Sequence, residues 1–168
     1  MLAQLDKGHT RADFIAAARA CRDAGLTLSP TFVAFTPWTT VESYIDLLDV
    51  VEELGLTGHV APVQWGIRLL VTWDSRLLEL ADIKTLVGTF DQKTLTFPWR
   101  HPDARVDELQ REVMNLVGRR TNRPRHALAA DIRRLAASRS ALASSSSPGS
   151  IPPHPRTEIP YLNEPWYC

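Results

Sequence analysis

Apolar side chains recur at helical spacing in four stretches of the chain, with polar side chains between them. Residues three and four positions apart share one face of a helix, so this pattern predicts an amphipathic helix in each stretch. The four predicted helices cover residues 11–24, 40–54, 104–118 and 125–142. Thr10 and Thr39 precede the first two, with Asp13 and Glu42 three residues later, and this spacing predicts a capping box at each helix start.

Two further stretches have the composition of buried strands. Residues 31–35 (TFVAF) are β-branched and aromatic, and Pro37 stops the run because proline has no N–H for a β-ladder. Residues 59–71 (HVAPVQWGIRLLV) form a second, longer apolar run. Because predicted helices alternate with these strands through short loops, the order of elements predicts an α/β fold with parallel strands.

The turn between the first strand and its helix is the first candidate site. It holds Thr36, Pro37, Thr39 and Thr40 at the carboxyl end of the predicted strand, where ligands bind in open α/β sheets. The exposed N–H groups of a helix start also favour anions there. The alternative is an ordinary strand–turn–helix corner without a ligand, since α/β folds contain many such corners and few are sites.

Three polar residues outside this turn have two interpretations each. Gln64 and Arg68 lie four positions apart, on the same face of the second predicted strand, where an unpaired polar group costs free energy. They either form hydrogen bonds with a neighbouring strand or helix, or point into a ligand cavity. Lys7 either lies in a solvated loop or places a cation near an anionic ligand.

The charge balance argues against two classes of partner. Nineteen basic and nineteen acidic residues cancel, so there is no electrostatic case for binding nucleic acid or an anionic membrane. No apolar run reaches the roughly 18 residues of a membrane span, and the first residues do not have the layout of a signal peptide. We therefore expect a cytoplasmic protein. Its two cysteines, Cys21 and Cys168, match no metal-ligand spacing.

The last part of the chain differs in composition from the rest. Serine, glycine and proline in residues 144–156 predict a linker between a helical extension, residues 119–143, and a C-terminal tail. The tail, residues 157–168 (TEIPYLNEPWYC), is rich in proline and aromatic residues and ends on Cys168. A cysteine at a chain end is accessible, which makes Cys168 a candidate redox residue.

Two separate parts of the chain resemble the same enzyme family. Residues 5–56 and 59–70 are similar to the second half of a radical SAM barrel, where a helix leads into the fifth strand and the sixth strand follows. The motif FTPWTT, followed by Glu42 and Tyr44, and the ending IPYLNEPWYC both resemble one subfamily. Its members end in a Cys-Cys-Ala-Glu-Pro or Cys-Sec-Ala-Glu-Pro tail and often carry an upstream cobalamin-binding domain.

The resemblance implies a fold and an activity. Residues 1–118 would be the C-terminal part of a partial (β/α) barrel, followed by helices and an irregular tail. The enzyme would cleave S-adenosylmethionine reductively at a [4Fe–4S] cluster and use the 5′-deoxyadenosyl radical on an unknown small molecule or peptide. Cobalamin is a further cofactor that the resemblance leaves open. The cofactors would supply the chemistry, and the protein would orient them.

The same resemblance implies roles for the candidate site residues. The residues that would lie beside S-adenosylmethionine, at the end of the fifth strand, are Thr36, Pro37, Thr39 and Thr40. Gln64 and Arg68 would face the cavity from the sixth strand. Lys7 would pair with the carboxylate of S-adenosylmethionine, because relatives often carry a basic residue there.

The chain departs from the family in the residues that hold the cluster. Radical SAM enzymes bind it through three cysteines in a Cys-x3-Cys-x2-Cys motif near the first strand, and this sequence has no such motif. It also has no counterpart of the first four strands. We therefore expect a C-terminal fragment that is inactive alone and whose partner is the missing N-terminal half of the barrel. The alternatives are a non-catalytic remnant and a small α/β binding module.

Cys168 leads to a hypothesis about the tail. In selenocysteine-containing relatives the residue after the first tail cysteine is encoded by UGA, a codon that ordinary translation reads as a stop. We expect UGA to follow the codon for Cys168. An adjacent thiol and selenol would be suited to redox exchange, because the selenol ionises more readily and the ionised form is the nucleophile.

Overall fold

Five α-helices and three short 3₁₀ turns form the regular structure of the described residues. The computed structural model describes residues 5–118 and 123–140. The α-helices are α1 (Arg11–Asp23), α2 (Val41–Glu53), α3 (Ala81–Leu86), α4 (Ala104–Gly118) and α5 (Arg125–Arg139). The 3₁₀ turns are Thr57–His59, Pro62–Trp65 and Arg76–Glu79. No helix within the described ranges combines the length and apolar character that crossing a bilayer requires.

The helices predicted from apolar periodicity are confirmed, and one of their two predicted caps is correct. At the start of α1, the N–H of Thr10 donates to the Asp13 carboxylate at 2.7 Å, which completes the predicted capping box. The box at the start of α2 lies one residue later than predicted and joins Thr40 to Ser43. Thr39 is unavailable as a cap because its side chain is buried in the preceding turn.

The predicted α/β fold, and with it the partial (β/α) barrel over residues 1–118, is wrong. The described residues contain no strand, sheet or barrel, and the two predicted strands meet at a single parallel bridge between Phe35 and Arg68. There the N–H of Phe35 donates to the carbonyl of Ile67 at 3.0 Å, and the N–H of Leu69 donates to the carbonyl of Phe35 at 2.8 Å. The rest of the second segment does not continue this pairing, because the 3₁₀ turns Thr57–His59 and Pro62–Trp65 replace an extended strand there.

The main core is built between helices instead of on a sheet. α5 packs against both α2 and α4, and the turn Pro62–Trp65 packs against α4. The fully buried side chains at these contacts include Val51, Leu109, Val113, Ile132 and Ala136. Arg133 forms an ion pair with Asp49 of α2, and Arg139 contacts Glu108 and Glu112 of α4 at 2.5 Å each. α5 therefore joins the other two helices through both its apolar and its charged faces.

A second, smaller cluster lies beyond the carboxyl ends of the two bridged segments. We call it the tryptophan cluster, and its buried residues are Val71, Ile83 and Trp99, with Trp38 packed against them. Antiparallel bridges from Thr72 to Thr96 and from Val87 to Trp99 hold it together. The indole N–H of Trp99 donates to the carbonyl of Leu69 at 2.8 Å. The cluster thus covers the end of the segments at which the sequence predicts a ligand.

Candidate functional site

The predicted site at the turn before α2 is closed by its own hydrogen bonds. Thr36 and Thr39 are both buried, and their hydroxyl oxygens lie 3.0 Å apart. The Thr39 hydroxyl also accepts from the N–H of Thr36 at 2.9 Å and donates to the carbonyl of Ala34 at 3.1 Å. Pro37 between them is buried as well. These side chains satisfy the backbone of the turn, and their polar atoms are turned into the protein.

The mouth of this turn is covered by Trp38 and the start of α3. The indole N–H of Trp38 donates to the carboxylate of Asp82 at 2.6 Å, and its ring packs against the tryptophan cluster. Thr40 is the one candidate at the turn that is exposed, and its hydroxyl caps α2 by accepting from the N–H of Ser43 at 3.1 Å. A ligand at this turn would have to displace Trp38.

Gln64 and Arg68 each form hydrogen bonds to neighbouring protein segments. The amide oxygen of Gln64 accepts from the N–H of Phe32 at 3.0 Å. The Arg68 guanidinium donates to Asp107 at 2.6 Å and to the carbonyl of Trp99 at 2.7 Å, and its central carbon lies 3.5 Å from the centroid of the Trp99 ring. This is the geometry of the first of the two interpretations that the sequence leaves open.

Two other predicted site residues lie apart from this region. Lys7 is exposed, and its carbonyl contacts the ring of His9 at 2.8 Å. Within the described ranges, no hydrogen bond or ion pair joins Lys7 to the turn before α2. Cys168 and the tail, residues 157–168, lie outside the described residues, as does the predicted linker.

Asp107 links Arg68 to a second site that the sequence did not predict. One carboxylate oxygen of Asp107 accepts from Arg68, and the other accepts from the N–H of His101 at 3.0 Å. The N–H of Asp103 donates to the ring of His101 at 2.9 Å, and the Asp103 carboxylate accepts from the N–H of Arg105 at the start of α4. The hydrogen bonds from Arg105 hold the pKa of Asp103 below its usual value. These contacts fix the chain that enters α4.

An open cleft of about 420 Å³ lies at this start of α4. Its lining residues come from the entering chain and from one face of the helix, and they are Arg100, His101, Ala104, Asp107, Glu108 and Arg111. The helical members are spaced by three or four residues, which places them on the same face. We call this feature the α4 cleft. The sequence signal that would have found it is the pair Arg100 and His101, two residues before a helix whose face carries Arg111.

The acidic side chains of the α4 cleft form ion pairs, whereas two of its arginines do not. Both carboxylates are paired with arginines, Asp107 with Arg68 at 2.6 Å and Glu108 with Arg139 at 2.5 Å. Arg100 and Arg111 are exposed and have no ion pair among the described residues. The uncompensated charge of the cleft is therefore positive, which suits an anionic ligand.

The described residues do not fit an iron–sulfur cluster. A cluster is normally held by several cysteine thiolates, and Cys21 is the single cysteine in the described ranges. No group of three His, Cys, Asp or Glu side chains in those ranges is placed to hold a metal ion. We therefore derive no chemical step that runs through a cluster on these residues.

Comparison with known proteins adds no family assignment. No protein-family model, no curated protein and no solved structure matches the chain.

Proposed function

We propose that this chain is one part of a radical SAM enzyme, which cleaves S-adenosylmethionine to a 5′-deoxyadenosyl radical. The supporting observation is the bridge between Phe35 and Arg68. The two segments that resemble consecutive strands of such an enzyme are neighbours and run parallel, although each contributes only one bridge residue. Two unrelated apolar segments would not need to meet in this order and direction. The substrate is an unidentified small molecule or peptide, and cobalamin is a candidate second cofactor.

In this proposal the described residues provide structure and another polypeptide segment provides the cluster. Three cluster cysteines are required, and the sequence holds two cysteines in all. The hydroxyls of Thr36 and Thr39 stabilise the turn from inside, so we assign neither of them a contact with S-adenosylmethionine. The chain alone is therefore inactive. Cysteine ligands stay reduced in the cytoplasm, which is the location that this function requires.

The experiment that tests the proposal is to read the DNA on both sides of the coding frame. We expect in-frame upstream codons for a Cys-x3-Cys-x2-Cys motif. Frames on that side that encode no such motif would overturn the proposed function. The codon after Cys168 tests the tail hypothesis separately: UGA followed by Ala-Glu-Pro codons supports a thiol–selenol pair, and UAA or UAG contradicts it.

A second candidate function is that of a non-catalytic binding module, and the α4 cleft favours it. The cleft has the volume of a small-molecule site and an excess of positive charge. This function needs no cluster, because binding requires only the lining residues. The same DNA would distinguish the two functions, since a binding module needs no neighbouring frame with cluster cysteines.

A further inference from the structure

We propose that the α4 cleft binds a small molecule through a phosphate group. This inference is independent of the radical SAM proposal, because it uses only residues at the start of α4. The groups that would bind the phosphate are the guanidinium groups of Arg100 and Arg111, which line the same cleft. A guanidinium donates two parallel hydrogen bonds to two oxygens of one phosphate, and this geometry makes arginine the commonest residue for planar oxyanion recognition.

The number of acceptor oxygens selects a phosphate over a carboxylate. Arg68 pairs with Asp107, and Arg139 is shared between Glu108 and Glu112, so Arg100 and Arg111 are the arginines of the cleft that have no ion pair among the described residues. A phosphate monoester presents three terminal oxygens, whereas a carboxylate presents two. A phosphate can therefore accept two parallel hydrogen bonds from one guanidinium and still offer an oxygen to the other, whereas a carboxylate held in this way by one guanidinium has no further oxygen for the second.

The position and size of the cleft support the same ligand class. It lies at the N-terminal end of the 15-residue helix α4, where the helix dipole adds to the attraction for an anion. A volume of about 420 Å³ lies within the range of small-molecule sites, so it has room for an organic group beside the phosphate. Ala104 lines the cleft with a single methyl group, which leaves this space open.

The test is a titration of the full chain followed by ¹⁵N–¹H correlation spectra at constant ionic strength. The probes are phenyl phosphate and benzoate, which share the ring and differ in the anionic group, with inorganic phosphate as a third probe. We expect saturable shifts at the amides of His101 and Ala104 with phenyl phosphate, and at least tenfold weaker binding of benzoate. Inorganic phosphate should bind at the same amides with lower affinity. Equal binding of phenyl phosphate and benzoate would overturn the phosphate assignment.

Variants of the lining residues make the test specific. Arg100→Gln and Arg111→Gln should each weaken phenyl phosphate binding at least tenfold. Ala104→Glu should abolish it, because it places a carboxylate in the cleft at a helix position that tolerates acidic residues. Arg19→Gln is the matched control: it removes the same charge from an exposed helical position, but Arg19 lies on α1, does not line the cleft and has no ion pair among the described residues.

The control also distinguishes binding in the α4 cleft from non-specific attraction of the anion to the positive charge of the protein. We expect the Arg19→Gln variant to bind phenyl phosphate within twofold of the unchanged chain. The proposal is overturned if this variant loses as much affinity as Arg111→Gln, or if no probe gives saturable shifts. The same spectra show whether each variant is folded. If an arginine variant is misfolded, loss of phenyl phosphate binding by the Ala104→Glu variant still tests the proposal, and unchanged binding by that variant would overturn it.

Discussion

Arg68 contacts Trp99 in two ways, with its guanidinium 3.5 Å above the indole ring and a hydrogen bond of 2.7 Å to the backbone carbonyl. A third contact joins the same guanidinium to Asp107 of α4. Arg68 is also the residue at which the two parallel segments meet. One side chain thus ties the bridged segments, the tryptophan cluster and α4 together.

Replacing Arg68 should therefore destabilise the protein far more than replacing a surface arginine. We expect Arg68→Met to lower the free energy of unfolding by about 2–3 kcal/mol, because Asp107 and the Trp99 carbonyl lose a half-buried partner. Arg68→Lys should cost about 1 kcal/mol, since lysine keeps the charge and loses the planar fork. Urea unfolding followed by circular dichroism measures both changes.

The control for this prediction is Arg11→Met. Arg11 also pairs with a carboxylate, Asp46 at 3.0 Å, but both side chains are more than half exposed. Its removal should change the free energy of unfolding by less than about 1 kcal/mol. Equal losses for Arg68→Met and Arg11→Met would show that the contacts of Arg68 add no more stability than an exposed ion pair.

The two buried threonines at the turn before α2 should differ in importance. Thr39→Val removes the hydroxyl that serves both the N–H of Thr36 and the carbonyl of Ala34, and we expect a loss of roughly 2–3 kcal/mol. Thr36→Val removes the hydroxyl that lies 3.0 Å from that of Thr39 and a weaker acceptor for the N–H of Trp38, at 3.3 Å. It leaves both backbone partners of the Thr39 hydroxyl in place and should cost about 1 kcal/mol. Unfolding of the two variants in denaturant tests this order, and the reverse order would contradict the hydrogen-bond network at this turn.

Tyr44 should make the protein sensitive to alkaline pH. Its hydroxyl donates to the carbonyl of Trp65 at 2.9 Å, and burial raises the pKa of Tyr44 well above its usual value of 10.0. Above pH 10 the tyrosine ionises in the unfolded chain but stays protonated in the folded protein, because the folded pKa is raised. The free energy of unfolding is therefore unaffected by ionisation of Tyr44 below pH 10 and falls above it by roughly 1.4 kcal/mol per pH unit.

The matched variant for this prediction is Tyr44→Phe. It should lower the free energy of unfolding by about 1–2 kcal/mol at pH 7, because the Trp65 carbonyl loses its donor. Above pH 10 its stability should fall less steeply than that of the unchanged chain. Parallel slopes for the two proteins between pH 10 and 11, in unfolding measured by circular dichroism, would show that Tyr44 ionises without unfolding the core.

Leu95 should be a site at which substitution stabilises the protein. It has a φ of 55°, in the left-handed region that leucine rarely adopts, and 64% of its surface is exposed. We expect Leu95→Gly or Leu95→Asn to raise the free energy of unfolding by about 0.5 kcal/mol, since relief of this conformation outweighs the added chain entropy. Leu26 is equally exposed without a positive φ, so Leu26→Gly should be neutral or destabilising in thermal unfolding.

Local signals in the sequence identify the helices but misassign the strands. Helix periodicity and caps depend on neighbouring residues, so α1, α2 and α4 follow from the sequence nearly to the residue. A strand needs a partner, and an apolar run such as residues 31–35 is equally compatible with a buried extended segment. Pro62 and Gly66, within the second run, favour the turn that the structure shows. The two segments meet only at the isolated parallel bridge of Phe35 and Arg68, so the predicted sheet does not form in the described residues.

The α4 cleft depends on contacts that are distant in the sequence. Asp107 and Glu108 look like available carboxylates on the face of a helix, and their neutralisation by Arg68 and Arg139 comes from residues at least 31 positions away. No spacing rule predicts which charges on a face remain uncompensated. The hydrogen bonds of Gln64 and Arg68 are long-range in the same way, which is why the sequence leaves their two interpretations open.

The most direct test of the radical SAM proposal is the mass and iron content of the natural polypeptide. An antibody raised against the exposed residues 6–13 would isolate it from the source organism under anaerobic conditions. The proposal predicts that these residues are recovered with a [4Fe–4S] cluster, in a polypeptide or complex larger than the 168-residue chain. Recovery of the free 168-residue chain without iron would contradict it.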